Sequence, residues 1–518
     1  MTPVGAALAW GAAAALWSLA GAAQAGPSVE QVTATPRTAG DLFGFAVAIG
    51  GERAVVSAPG RQVGVYTSAG VVFPLTRGPD GWTVEAPLDE LDTAAYGRAL
   101  GLCAALGDEV LALCAPGYTT SGAVLLFHLV DGAWVRDTAI YDVPATASDR
   151  LGVSVAASGT TVVMGSTIAT IPVMDMQPGR ARVFAFDQTW SEQDPLLPTD
   201  SEGGDRFGYA AAIDGDVAVV GAPGKEMSRG AAYVFVRAAG LWTQTAKLVA
   251  GDRQPSDLFG ASVAIAGDVI VVGAYGRDEG AGAAYVFEKP GEAWTQTQRL
   301  TAAAPTAGEL FGEAVAVTPG YALISGYGYE RVEPYGPRGG AYLYGRLAGG
   351  YGLLTTLRGD ATVPGDYVGY AAALAGSTAL LGAPYDDAPT VPTFQMGMAL
   401  GAAYLFEPAQ EAGEACVLPA DCVAGASCCE GVCVAGGCEA ATSTGEADTG
   451  SGTGEPTSTT TTSAQSGPTT GGAEESGPPA PEIDPLSAGC GCDERAGRPA
   501  SWAALGWVLV GVPRRRRR

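Results

Sequence analysis

Residues 205–223 read DRFGYAAAIDGDVAVVGAP, and residues 230–235 follow as GAAYVF. Variants of this phrase recur along the chain. Marked by the glycine of the opening pair, seven copies begin at Gly44, Gly101, Gly152, Gly208, Gly260, Gly312 and Gly369, spaced 51 to 57 residues apart. Self-similarity at a period near fifty belongs to units that stack or close into a ring, since one unit cannot bury its apolar face alone.

The copy at Gly260 shows what a unit contains. Residues 261–265 are a short apolar run, Gly267 and Asp268 make a turn, and residues 269–272 are a second run rich in β-branched side chains. A Gly-containing loop leads to residues 283–287, and another turn leads to a segment from Trp294 to Leu300. Runs of this length between turn residues are strands. No stretch of the repeats carries an apolar period of 3.6 long enough for a helix, so helical solenoids are excluded. Seven units of four strands predict an all-β chain, a seven-bladed β-propeller over residues 26–408. The seventh copy stops at residues 402–407, after its third strand, while an orphan segment, 29–34, precedes the first copy. Aligning TAGDLFG (38–44) with TAGELFG (306–312) places Val32 on Leu300. Residues 29–34 are therefore expected to supply the outer strand of blade seven, leaving no open edge between the last blade and the first.

The opening pair followed thirteen residues later by GAP (221–223 and 382–384, with variants at 57–59, 114–116, 273–275 and 325–327) resembles the FG-GAP repeat of integrin α-subunit propellers and many bacterial surface proteins. The aromatic of the pair (Phe43, Phe207, Phe259, Phe311) is expected to wedge between neighbouring blades. Burying such a side chain contributes about 1.5 to 3 kcal/mol. The resemblance also implies calcium in an acidic loop. The corresponding loops here read GKEMSRG (224–230), GRDEGAG (276–282) and YDDAPT (385–390), and none offers oxygen ligands at alternate positions. Asp278 with Glu279, and Asp386 with Asp387, are weak calcium candidates; otherwise no cofactor is expected.

Only 16% of the 518 residues are charged and the net charge is −25, which argues against nucleic acid as a partner. An apolar run at 4–20 followed by Ala23-Gln24-Ala25 reads as a signal peptide over residues 1–25 and predicts export. Ten cysteines in an exported chain point to disulfides. Cys103 and Cys114 fall on the first and second strands of blade two and are expected to pair. Cys416, Cys422, Cys428, Cys429, Cys433 and Cys438 crowd into a small Cys-rich module at 414–439, read as disulfide-stapled in preference to a zinc site. Their order resembles that of inhibitor cystine-knot and similar small knobs. Residues 440–488 are Thr, Ser, Gly, Pro and Glu with few large apolar side chains, the composition of a disordered stalk. At 489–518, Cys490 and Cys492 precede an apolar stretch and five arginines. This tail resembles the MYXO-CTERM sorting signal of exported myxobacterial proteins, which implies cleavage, lipid attachment at a cysteine, and a membrane-anchored place at the cell surface. The apolar stretch is shorter than the roughly 20 residues of a membrane-spanning helix.

Catalytic patterns are sparse. His128 is the single histidine, read as a strand residue, and no GxSxG elbow accompanies a serine. The loops between second and third strands vary most among the copies and carry Tyr66, Tyr118, Tyr329, Tyr335, Tyr385 and Phe394. Aromatics on loops held by a rigid scaffold suit recognition, whereas Tyr275 and Tyr327, in the place of the GAP proline, read as framework. The expected function is non-catalytic recognition or adhesion by a monomeric propeller, with an extracellular protein or glycan as ligand. A hydrolase or lyase on the same scaffold, or a passive surface-layer component, are the alternatives.

Overall fold

A computed structural model describes residues 28–79, 81–89, 99–116, 122–141, 151–167, 178–328, 338–347, 349–359, 362–363, 365–386 and 399–407, with two strands at 426–429 and 432–435. The segments read from sequence as signal peptide (1–25), stalk (440–488) and sorting tail with Cys490 and Cys492 (489–518) lie outside the described residues, as do Cys416, Cys422 and Cys438.

Seven four-stranded antiparallel sheets follow one another along the chain, giving an all-β seven-bladed propeller. Blade 4 runs Ala211–Asp214, Val217–Ala222, Ala231–Ala238 and Leu241–Leu248 from the centre outward. Its second strand is almost wholly buried, because sheets on both sides cover it, and its sequence is accordingly a continuous apolar run. The outer strand alternates exposed and half-buried residues, as a sheet margin facing water does.

Blade 7 is made from both ends of the propeller. Ala371–Ala375, Thr378–Ala383 and Ala402–Glu407 supply three strands, and Ser28–Val32 is the fourth. Val32 stands opposite Ala403 just as Leu300 stands opposite Ala284 in blade 5. The strand begins at Ser28 and ends at Val32, short of residue 34. Pro36, which has no N–H to continue a ladder, follows closely.

The repeated phrase is explained by contacts between blades. Phe43, Phe207, Phe259 and Phe311 are fully buried. The Phe207 N–H donates to the Pro178 carbonyl of blade 3 at 2.8 Å, and its ring lies 5.7 Å from Tyr233 and 6.0 Å from Phe235 of blade 4. Val163 and Val183 of blade 3 complete the same cluster. The two glycines of the motif belong to facing surfaces of adjacent blades. Gly260 has φ +88°, and a Cβ there would stand 2.3 Å from the Ala231 carbonyl oxygen. A Cβ on Gly221 would stand 1.9 Å from the Gly260 oxygen. Backbone thus packs on backbone at this level of every such junction, and only hydrogen fits.

In blade 2 Cys114 takes the place of Gly221 and is joined within the blade to Cys103 by a disulfide, with Cα atoms 5.1 Å apart and both residues buried. Ser57 and Ser325 take the same place in blades 1 and 6 and accept hydrogen bonds from the Ala46 and Ala314 N–H groups at 2.9 and 2.8 Å. In the Cys-rich segment, the strands Ala426–Cys429 and Val432–Ala435 pair with Cys428 opposite Cys433.

Candidate functional site

Antiparallel order sends the connections of each blade to two ends. Between first and second strands the turns have two or three residues in every blade. Between second and third strands the connections have from eight residues (blades 2, 4 and 5) to eighteen (blade 7, from Ala383 to Ala402). The linkers between blades share the second end: the Gly224 and Gly276 N–H groups of the loops donate to the Asp205 and Asp257 carbonyls of the incoming linkers at 3.1 and 3.2 Å. One face of the disc therefore carries the first-hairpin turns, and the other carries the loops between second and third strands.

The base of the loop face is held by buried ion pairs that the motif reading overlooked. Asp205 accepts the Glu202 N–H at 2.7 Å and the Lys225 ammonium at 2.9 Å. Asp257 repeats this with the Gln254 N–H at 2.6 Å and Arg277 at 2.9 Å, and Asp41 with the Thr38 N–H at 3.2 Å and Arg61 at 2.7 Å. In sequence the signal is an acid two residues before the aromatic and a cation twenty residues after the acid. Around these pairs, the Tyr233 hydroxyl donates to Asp200 at 2.8 Å and Tyr285 to Asp252 at 2.9 Å. Burial first, and these carboxylates second, push both phenols well above their ordinary pKa. Burial works against the charge on Lys225, but Asp205, Asp200 and Glu202 outweigh it and raise its pKa.

Blade 7 departs from the pattern. Position 386, twenty residues after Asp366, holds a second aspartate. Arg37, from the segment that follows the closing strand, supplies the cation, reaching Asp386 at 3.0 Å and the Gly401 carbonyl at 3.0 Å. Tyr404 donates its hydroxyl to the other Asp386 oxygen. Burial raises the pKa of Asp386, opposed by Tyr404 and Arg37.

The sequence candidates distribute unevenly over this face. Tyr66 is 39% exposed and forms a small bridge with Val63, beside Val65 at 82% exposure. Tyr385, expected as an exposed loop aromatic, is buried at 2% exposure, and this corrects its assignment. Its ring packs on Tyr367 at 5.2 Å and Tyr370 at 6.3 Å, in a cluster with Phe45, because these rings from distant sequence positions offer it an apolar wall. Tyr275 and Tyr327 are buried as well. Tyr118, Tyr329, Tyr335, Phe394 and Asp387 lie outside the described residues.

The described calcium candidates Asp278 and Asp386 already have protein partners. Both Asp278 oxygens are engaged, by Arg277 at 3.1 Å and Arg299 at 2.5 Å, with Glu279 exposed beside them. Asp386 is engaged by Arg37 and Tyr404. Among the described residues no group of three or more His, Cys, Asp or Glu side chains is placed to hold a metal. The loops containing Lys225 and Arg277 each form a four-residue helical turn with left-handed residues inside, Glu226 and Met227 in one and Asp278 and Glu279 in the other.

His128 is remote from the loop face. It lies near the end of the third strand of blade 2, Ala123–Val130, just before the turn to the outer strand. Its Nδ1 is 2.6 Å from Asp137 Oδ1, its ring stacks on Phe186 at 5.1 Å, and the Trp190 indole donates to the other Asp137 oxygen at 2.8 Å. This is a joint between blades 2 and 3. The central channel, about 230 Å³, is lined by Ala, Val, Ile and Leu of the seven innermost strands, with no titratable side chain.

No curated protein matches the chain. Among solved structures it is similar to the periplasmic gluconolactonase of Pseudomonas aeruginosa, at 13% identity and a TM-score of 0.39, covering 59% of this chain and 82% of that one. It is also similar to a prolyl endopeptidase, at 13% identity and a TM-score of 0.43, covering 66% of this chain and 44% of that one. Likeness at this level says nothing about activity. The FG-GAP repeat family matches residues 190–235 and 242–287, each running from one blade's outer strand through the third strand of the next. The phase of that match is the phase in which the ring closes, and the protein is a seven-bladed β-propeller with FG-GAP repeats at residues 190–235 and 242–287.

Proposed function

We propose that this chain is an exported recognition protein whose loop face binds an extracellular protein or glycan, without catalysing a reaction on it. The observation that carries the reading is the asymmetry of the disc: the turns between first and second strands have two or three residues in every blade, while the loops between second and third strands, on the other face, range from eight to eighteen. Loops that vary in length on a rigid scaffold are where binding surfaces are built. Two further observations support the non-catalytic part. The central channel presents only aliphatic side chains, and His128 is tied to Asp137 on the side away from the loops. The signal peptide, the stalk and the sorting-type tail extend the proposal to display at the cell surface, with Cys490 and Cys492 as the sites of processing.

The test replaces residues 387–398 of blade 7 with a short Gly-Ser connection in the full chain, and compares binding to intact cells and to a glycan array. Loss of binding with an unchanged melting profile is expected. Undiminished binding, or turnover of a polysaccharide or ester substrate that survives purification, would overturn the reading.

A further inference from the structure

In blades 4 and 5 a side-chain cation sits where the incoming linker meets the loop between second and third strands. The Lys225 ammonium lies 2.9 Å from Asp205 Oδ2, donates to the Asp200 carbonyl, and has Glu202 Oε2 at 3.8 Å and Asp200 Oδ2 at 3.9 Å. Arg277 reproduces the arrangement with Asp257 Oδ2 at 2.9 Å, the Asp252 carbonyl at 2.6 Å and Asp252 Oδ2 at 3.3 Å. The two cations are only 3% and 6% exposed. In blade 1, Arg61 meets Asp41 Oδ2 at 2.7 Å and the Pro36 carbonyl at 3.0 Å. All three cations thus take the same two acceptors: a buried carboxylate, and the carbonyl five residues before it.

We propose that Arg61, Lys225 and Arg277 are built-in staples that do here what a bound divalent ion does in an acidic loop, so that the propeller ties its linkers to its loops without metal. The oxygens that would face an ion accept N–H donors of the loop's own cation instead. The cation is covalently part of the loop it fastens, and chelators or calcium have nothing to remove or add. Because the Lys225–Asp205 and Arg277–Asp257 pairs are buried, loss of the cation alone strands a carboxylate there, whereas loss of both charges strands nothing.

Thermal unfolding of the full chain tests this with Lys225→Met, Asp205→Asn and the double variant, each in EDTA and in calcium chloride at equal ionic strength. The wild-type midpoint is expected to be the same in both media. Lys225→Met is expected to fall by roughly 5 °C, and the double variant to lie closer to wild type than Lys225→Met does. If Lys225→Met does not accumulate as folded protein, Arg277→Met with Asp257→Asn reads the sister staple in the same way. A wild-type midpoint lowered by EDTA or raised by calcium would overturn the proposal, as would a double variant whose loss equals the sum of the two single losses.

Discussion

The two faces of the disc obey different rules. On the turn face each first hairpin closes in two or three residues, often through a glycine in the left-handed region such as Gly215 or Gly267, and the length is dictated by the strands it joins. On the loop face the strands dictate only where a connection leaves and returns. Blade 4 spans that gap in eight residues and blade 7 in eighteen. In blades 1, 4 and 5 an ion pair lies beneath the loop. Asp205 with Lys225, Asp257 with Arg277 and Asp41 with Arg61 hold the base of the loop to the linker, so residues beyond the pair can change without disturbing the sheet. Scaffold and variable surface are thus separated within a few ångströms, and the separation can be tested from both sides.

The largest effect is expected where blades meet backbone to backbone. Gly221→Val would drive a Cβ to 1.9 Å from the Gly260 oxygen, with no flexible side chain to yield, whereas a Cβ on Gly215 at the turn face meets nothing within 4 Å. Gly221→Val should lose more than about 4 kcal/mol or fail to fold, while Gly215→Ala should lose about 1 to 2 kcal/mol from its left-handed backbone alone. Denaturant midpoints of the two variants measure the contrast directly, and similar losses would show that close approach between blades is not what the motif glycine serves.

Removing the closing strand comes next. Deleting residues 28–32 takes away five cross-strand pairs and bares the edge of blade 7. At about 0.2 to 1 kcal/mol for each pair, the loss should be clear in the melting profile and accompanied by aggregation. Arg37→Ala leaves the strand in place but deprives buried Asp386 of its cation, and should lower stability by about 3 kcal/mol. Equal stability of wild type and Arg37→Ala would show that pairing of the backbone alone closes the ring.

Acid should separate the faces in sign. On the turn face, the hydrogen bond from Arg346 holds the Asp268 carboxyl below its ordinary 3.8. A carboxyl lowered on folding stabilises the protein above its unfolded pKa and loses that contribution as pH falls through the folded value. The advantage of wild type over Asp268→Asn should therefore persist at neutral pH and vanish only below 3.8. At Asp386 on the loop face burial raises the pKa. Its titration favours the folded state as pH falls through that raised value towards the unfolded one. Melting midpoints against pH for Asp268→Asn and Asp386→Asn should diverge from wild type in opposite directions on acidification; parallel curves would refute the assignment.

The smallest effect concerns His128. Its contact with Asp137 and its stacking on Phe186 tie blade 2 to blade 3 at a partly exposed site. His128→Ala should cost about 1 kcal/mol or less and leave binding unchanged. A binding or catalytic defect in a folded His128→Ala protein would move function off the loop face.

The fold was legible because its determinants are local and repeat. Strand runs, Gly-Asp turns and the motif glycines recur in phase, and the match of residues 38–44 to 306–312 puts Val32 in the place of Leu300; the structure sets Val32 opposite Ala403 as Leu300 is opposite Ala284. The candidate site was less legible because burial there depends on contacts from elsewhere in the chain. Nothing near Tyr385 in sequence announces that Phe45 and Tyr370 wall it in. The staples were visible as a recurring acid and a cation twenty residues later, but a reading aimed at oxygen ligands for calcium passes over a lysine. Arg37 had no repeat to reveal it, since it stands in for a cation that blade 7 itself lacks.

Recognition is assigned to the loop face. Two variants of the full chain decide it: one replacing Tyr66, Tyr329, Tyr335 and Phe394 with Ser on the loop face, the other replacing Glu52, Glu109 and Asp216 with Ser at the turns. Both are compared with wild type for binding to intact cells and to a glycan array. Truncation of anchoring aromatics typically costs at least about 2 kcal/mol for each, so the loop-face variant should bind more than about tenfold more weakly while the turn-face variant matches wild type. Weakened binding in the turn-face variant, with the loop-face variant intact and folded, would contradict the account.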